Sequence, residues 1–109
     1  MTFQLGSALL DACVLAILHK DDTYGYRLTQ EVKEIVSVSE STLYPVLRRL
    51  TKEGYLHTYD KEHMGRNRRY YQLSDAGREK YETFLLEWKE FSGKIDDILE
   101  GGKTYESNE

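Results

Sequence analysis

Residues 8–18 read ALLDACVLAIL, apolar almost all the way round. A helix with that pattern has no solvent face and must be covered on more than one side. The chain has 109 residues, enough for one core and no second one. The segment therefore predicts a chain whose other helices close over one side of it while a second subunit covers another.

The next two segments supply such helices. In YGYRLTQEVKEIV, Leu28, Val32, Ile35 and Val36 recur at i, i+4, i+7 and i+8, with Asp22 or Thr23 as N-cap. After the short connection SVSE, the stretch STLYPVLRRLTKEG repeats the pattern with Leu43, Val46, Leu47 and Leu50, and Gly54 stands where a helix C-cap belongs. Pro45 requires this third helix to begin just before it, where a missing N–H matters least. At 100° per residue the opposite face carries Ser41, Tyr44, Arg48 and Lys52, a polar, aromatic and basic surface.

Two β-prone runs follow, YLHTYDKE and RRYYQLS, separated by HMGRN with the glycine and asparagine of a hairpin tip. Strand alternation turns Tyr71 and Leu73 to the core and Tyr70 outward. From Ser74 as N-cap, a long helix is expected to reach about Glu100 and stop at Gly101 and Gly102, leaving KTYESNE as a frayed tail. Tyr81, Phe84, Trp88, Phe91, Ile95 and Ile98 step along it by threes and fours, the seam of a helix packing at a shallow angle on another. Gly93 inside that helix costs about 1 kcal/mol relative to alanine and marks a looser turn.

The formal net charge is −4, but the charges are unevenly spread. Residues 44–72 hold seven Lys and Arg against three Asp and Glu, a local excess of four positive charges, and the rest of the chain is net negative. An acidic body with a basic face is what an anionic partner would select. No stretch approaches the run of about 18 apolar residues that a membrane span needs, and the first residues carry no basic cluster or cleavage signal, which points to a cytoplasmic protein that does not contact membranes. Cys13 is the one cysteine, excluding an intrachain disulfide and predicting a small buried core residue. His19, His57 and His63 show no metal-ligand spacing, and no nucleophile elbow, phosphate loop or carboxylate pair is present. Neither a catalytic residue, a metal nor a cofactor is expected.

Helix, helix, short turn, helix and hairpin is the order of a winged helix-turn-helix, in which the helix after the turn enters the major groove of DNA. The fold class is thus mainly α with a small β-hairpin, residues 1–74 forming the winged unit and 75–109 a C-terminal helix and tail. The segments TYGYRLTQEV, SESTLYPVLRRLTKEGYL and GRNRRYYQLSDAG, in this order, resemble the signature segments of PadR-type transcriptional regulators over roughly residues 8–80. The chain looks like the compact subgroup with one C-terminal helix. The resemblance implies a homodimeric repressor on a pseudo-palindromic double-stranded operator, the last helix pairing with its partner. By position it implies that Ser41, Thr42 and Tyr44 open the recognition helix, that Tyr24 and Tyr26 open the helix before it, and that Arg66 and Arg68 occupy the wing; Asn67 and Arg69 beside them are counted as DNA contacts too. Arg48 and Lys52 join them from the helical wheel.

Some relatives sense planar aromatic compounds in a cavity at the dimer interface lined by a tryptophan of the last helix, and Trp88 is similarly placed, with Phe84, Leu85 and Phe91 completing an apolar slot for a ligand that would release the repressor. Those relatives often carry an acidic residue one turn after the tryptophan; Ser92 stands there. Two other readings stay open on the sequence: a winged helix that binds only proteins, and a drug-binding protein without DNA affinity.

Overall fold

The computed structural model describes residues 5–101. The apolar first helix, α1 (Leu5–Lys20), is the hub of the core. Around it lie β1 (Thr23–Tyr24), α2 (Gly25–Ile35), α3 (Glu40–Lys52), β2 (Leu56–His63), β3 (Arg66–Leu73) and α4 (Asp75–Leu99). Leu10, Val14, Leu15 and Leu18 of α1 are buried with Leu28 and Val32, with Leu43, Leu47 and Leu50, and with Leu56 and Leu73. Each fully buried leucine contributes about 1.5–3 kcal/mol relative to exposure. The other side of α1 is only half covered: Ala8, Leu9, Cys13, Ala16 and Ile17 all keep part of their surface in water.

The strands form an antiparallel sheet in the order β1-β3-β2. The mainly α fold with a small hairpin is the expected one, and the differences are local. Neither Asp22 nor Thr23 caps α2: Tyr24 holds the cap position, and Thr23 is instead buried in β1, paired with Tyr71. A two-residue strand is too short to leave a pattern. The hairpin tip is narrower than HMGRN, a two-residue turn of Met64 and Gly65 with φ of 55° and 81°. Arg66 and Asn67 already belong to β3. Tyr70 is buried rather than outward, because the outer face of the sheet carries its own aromatic cover. Ile35, the last residue of α2, is 66% exposed despite its helical phase. Pro45 is the sixth residue of α3 rather than part of its first turn. Cys13 is half-buried and not in the core proper, its thiol pushed up by partial desolvation. The tail KTYESNE and Gly102 lie outside the described residues.

Two stitches fix where α4 leaves the winged unit. Gly54, at φ 88°, ends α3 by sending its N–H to Thr51, while the Tyr55 N–H reaches back to the Leu50 carbonyl. Crossed bonds of this kind satisfy the carbonyls a helix end leaves open. Ser74 then binds that corner: its hydroxyl donates to the Gly54 carbonyl at 2.7 Å, its N–H donates to the Tyr55 carbonyl at 3.1 Å, and its Oγ accepts from the Gly77 N–H at 3.0 Å. Gly77 is required by contact, since a Cβ there would run into the Tyr55 carbonyl and the Leu73 side chain. Beyond this joint α4 continues without a break through Gly93, about 37 Å in all at 1.5 Å per residue.

Candidate nucleic-acid interface and interhelical cleft

Ser39 caps α3, but its hydroxyl does not fold back on the helix amides. It lies 2.9 Å from the Ser41 hydroxyl and 3.2 Å from that of Thr42, so three hydroxyls cluster at the helix start. The Ser39 carbonyl takes the N–H groups of Thr42 and Leu43, and helix geometry turns the preceding amides outward. Glu40 faces the other way, accepting from Gln30 at 3.1 Å and sitting 3.8 Å from the Lys33 ammonium, which ties α3 to α2. Because Leu43, Leu47 and Leu50 occupy the core side, Ser41, Thr42, Arg48 and Lys52 are exposed and Tyr44 half-exposed. Arg49 is different: both its arms are occupied, at 2.6 Å by Asp11 of α1 and at 3.1 Å by Glu53.

The wing presents its basic residues on two faces, as strand alternation requires. Arg66 and Arg68 lie on the face of Tyr70; Asn67 and Arg69 lie on the face of Tyr71, toward α3. Asn67, Arg68 and Arg69 line a concavity of about 270 Å³ together with Tyr24, Tyr26 and Tyr44. Six of the eleven expected residues thus meet in one hollow; Ser41, Thr42, Arg48 and Lys52 stand beyond it on α3, and Arg66 stands at the tip. Arg68 is held with its guanidinium carbon 4.5 Å over the Tyr24 ring, and its Nε is buried without a hydrogen-bond partner among the described residues. Arg69 pairs with Asp60 at 3.5 Å, an exposed contact that leaves it free to exchange partners. Burial pushes the Tyr71 phenol up, and the positive charges of Arg69 and Arg48 act against it.

Sequence reasoning missed the aromatic cover on the outer sheet face. Tyr59 stacks on Tyr70 at 5.4 Å, Tyr24 meets Tyr70 edge-on at 5.6 Å, and His63 lies 5.2 Å from Tyr24. Asp22 locks this layer by accepting from the Tyr59 hydroxyl at 2.6 Å and from Gln72 at 3.2 Å. That hydrogen bond is the main reason the Tyr59 phenol is pushed up to about 12. The signal available was alternation: Tyr24, Tyr59 and Tyr70 share a face once β1 is recognised. His19 stacks on Tyr81 at 4.5 Å, and no described His, Cys, Asp and Glu side chains gather as a metal site would need.

The slot expected around Trp88 is two clefts between α1 and α4. Phe84 and Trp88, nearly parallel at 7° with centroids 6.5 Å apart, line both. Phe91 lies on the larger, of about 310 Å³, with Asp11, Leu15, Lys80 and Glu87. Leu85 lies on the smaller, of about 200 Å³, with Cys13. Past Phe91 the apolar side of the helix opens, and Ile95, Ile98 and Leu99 are 36%, 50% and 77% exposed. No described helix is long and apolar enough to cross a membrane.

Residues 14–83 match the model of the transcriptional regulator PadR-like family. The crystal structure of smu.1704 from Streptococcus mutans UA159 is 44% identical, with a TM-score of 0.85 over 93% of this chain and 95% of that one. The transcriptional regulator Rv3488 of Mycobacterium tuberculosis is 41% identical over 68 residues, 59% of this chain and 64% of its own length. Bacillus subtilis PadR, solved in complex with operator DNA, is 27% identical with a TM-score of 0.62, over 71% of this chain and 46% of that one.

Proposed function

This chain belongs to the PadR-like family of transcriptional regulators, and from that premise we propose a homodimeric winged-helix repressor, released from its operator by a flat aromatic ligand in the α1–α4 cleft. The observation that carries the DNA-binding half is the convergence of four elements on one hollow, with Tyr24 from β1, Tyr26 from α2, Tyr44 from α3 and Asn67, Arg68 and Arg69 from the wing strand β3. Phenols and hydroxyls donate to phosphate oxygens and fix register, a role suited to these tyrosines and to Ser41 and Thr42. Arg48 and Lys52 are exposed one turn apart on α3, and an arginine there suits a forked contact to guanine in the major groove. Arg66, at the wing tip, suits a narrow minor groove, where negative potential is strongest.

The proposed second copy covers the apolar half of α4 and the half-buried face of α1. Two such heads address successive major grooves, about 34 Å apart. Phe84, Trp88, Leu85 and Phe91 offer an aromatic ligand flat surfaces on which to stack. Ligand binding regulates only if it favours a different arrangement of the heads from the one DNA favours.

The test is binding to a fluorescent duplex from upstream of the protein's own gene across a salt series. Wild type is expected to lose affinity steeply with salt, and Arg66→Ala to lower the slope of log affinity against log salt by about 0.9, one phosphate contact's worth. A slope unchanged in Arg66→Ala, Arg48→Ala and Lys52→Ala alike would leave this surface to a protein partner.

A further inference from the structure

The hairpin of β2 and β3 is paired without interruption from Leu56 and Leu73 out to His63 and Arg66, so Met64 and Gly65 alone make the turn. Its end is also held from the side. The His63 ring lies 5.2 Å from that of Tyr24 in β1, and the Arg68 guanidinium carbon stands 4.5 Å over the same Tyr24 ring. The wing therefore ends in a braced point.

Met64 is a residue the fold itself would not select there. A two-residue hairpin turn with positive φ at both positions favours asparagine or aspartate followed by glycine, because a left-handed backbone crowds a larger side chain. Gly65 meets that demand at 81°, whereas Met64, at 55°, is the one non-glycine residue with positive φ among the described residues. Burial does not offset the strain, since Met64 is 86% exposed, more than any other large apolar side chain described. An exposed apolar residue is ordinary on a helix. At a strained turn it points to a contact outside the chain, since strain of this kind gathers where a protein meets its ligand. The exposed Arg66, two residues on, puts a positive charge at the same point. Proteins that enter the minor groove of DNA combine these two chemistries, a cation and an apolar side chain.

We infer that Met64 enters the minor groove beside Arg66 and packs on its floor at A·T pairs, giving the wing a base preference of its own. The inference rests on the proposed reading of the wing tip as a minor-groove contact. In that groove a G·C pair differs from an A·T pair by the guanine N2 amino group. A thioether, a weak acceptor at best, cannot satisfy that donor and is held off the floor by it.

The test uses the full chain and the duplex of the salt series, with each base pair presented in turn as A·T, G·C or inosine·C. Inosine lacks the N2 amino group but keeps the major-groove face of guanine, so it isolates what the minor groove contributes. Wild type is expected to bind about tenfold more weakly when G·C lies under the wing tip and to recover with inosine·C, a loss within the usual cost of one unfavourable pair. In Met64→Asn the difference shrinks below about twofold, while the slope of log affinity against log salt stays at the wild-type value because no charge is removed. Asparagine suits the left-handed turn, so this variant is expected to melt no lower than wild type. Arg66→Ala shows the converse, a lower slope with a G·C penalty retained. Two results overturn the inference alone: a wild type indifferent to G·C against inosine·C at every position, or a G·C penalty undiminished in Met64→Asn, which would assign it to Arg66 and the potential of a narrow groove. A wild type without salt-dependent affinity for the duplex overturns the reading of the wing and this inference with it.

Discussion

The two halves of α4 live in different surroundings. Near its start, Ser74 and Gly77 are buried against the Gly54 and Tyr55 corner, the Ser74 hydroxyl both donates and accepts, and Leu73 lies in the core. Past Phe91 the same helix turns its apolar side out, with Ile95, Ile98 and Leu99 in contact with water. The contrast extends to whole regions. The winged unit closes a core of leucines and leaves polar and basic groups outside; the far half of α4 does the reverse. A region that is finished within one chain reads as a rigid head, and a region with its apolar side open reads as an unfinished interface.

The two glycines of α4 test that contrast most sharply. Gly77→Ala forces a methyl group into the Tyr55 carbonyl and Leu73, and it is expected to destabilise the protein by about 3 kcal/mol, measured by chemical denaturation. At Gly93 a Cβ would meet nothing within 4 Å, and the position lies on the side of α4 away from the Phe84, Trp88 and Phe91 seam. Gly93→Ala is therefore expected to stabilise by about 0.5–1 kcal/mol, the ordinary helix preference for alanine. Equal costs at the two positions would erase the distinction between a docked and an undocked half.

A smaller effect sharpens the head itself. The Tyr59 phenol in the folded protein is pushed from 10.0 up to about 12, chiefly by its hydrogen bond to Asp22. The bond favours the protonated phenol, so its stabilisation is fully present below pH 10 and fades as pH rises toward 12. Tyr59→Phe is expected to remove the phenol that titrates at about 12 from the ultraviolet absorbance titration and to flatten that alkaline loss of stability. Because the hydroxyl is exposed, the stability change at neutral pH is expected to stay within about 1 kcal/mol.

Much of this was legible in the sequence because it rests on periodicity. The spacing of Leu28 and Val32, of Leu43, Leu47 and Leu50, and of the seam from Tyr81 to Ile98 locates three helices; turn chemistry locates the hairpin. What stayed hidden depends on contacts between distant residues. β1 exists only because Thr23 and Tyr24 find β3, and Tyr70 is buried only because β1 and Tyr59 bring rings to it. The separation of Arg49, tied to Asp11, from its neighbour Arg48, exposed on the other face, follows from helix phase. Its ion-pair partner does not. Nor could composition show that Phe84 and Trp88 divide one expected slot into two clefts.

The most direct measurement of the central contrast is sedimentation equilibrium of wild type and of Ile95→Asp, with circular dichroism confirming that the variant's head stays folded. The account predicts wild type at twice the 12.8 kDa chain mass and the variant at one chain mass. A monomeric wild type, or a variant that stays a dimer, would contradict the reading of the far half of α4 as a surface completed by a second copy.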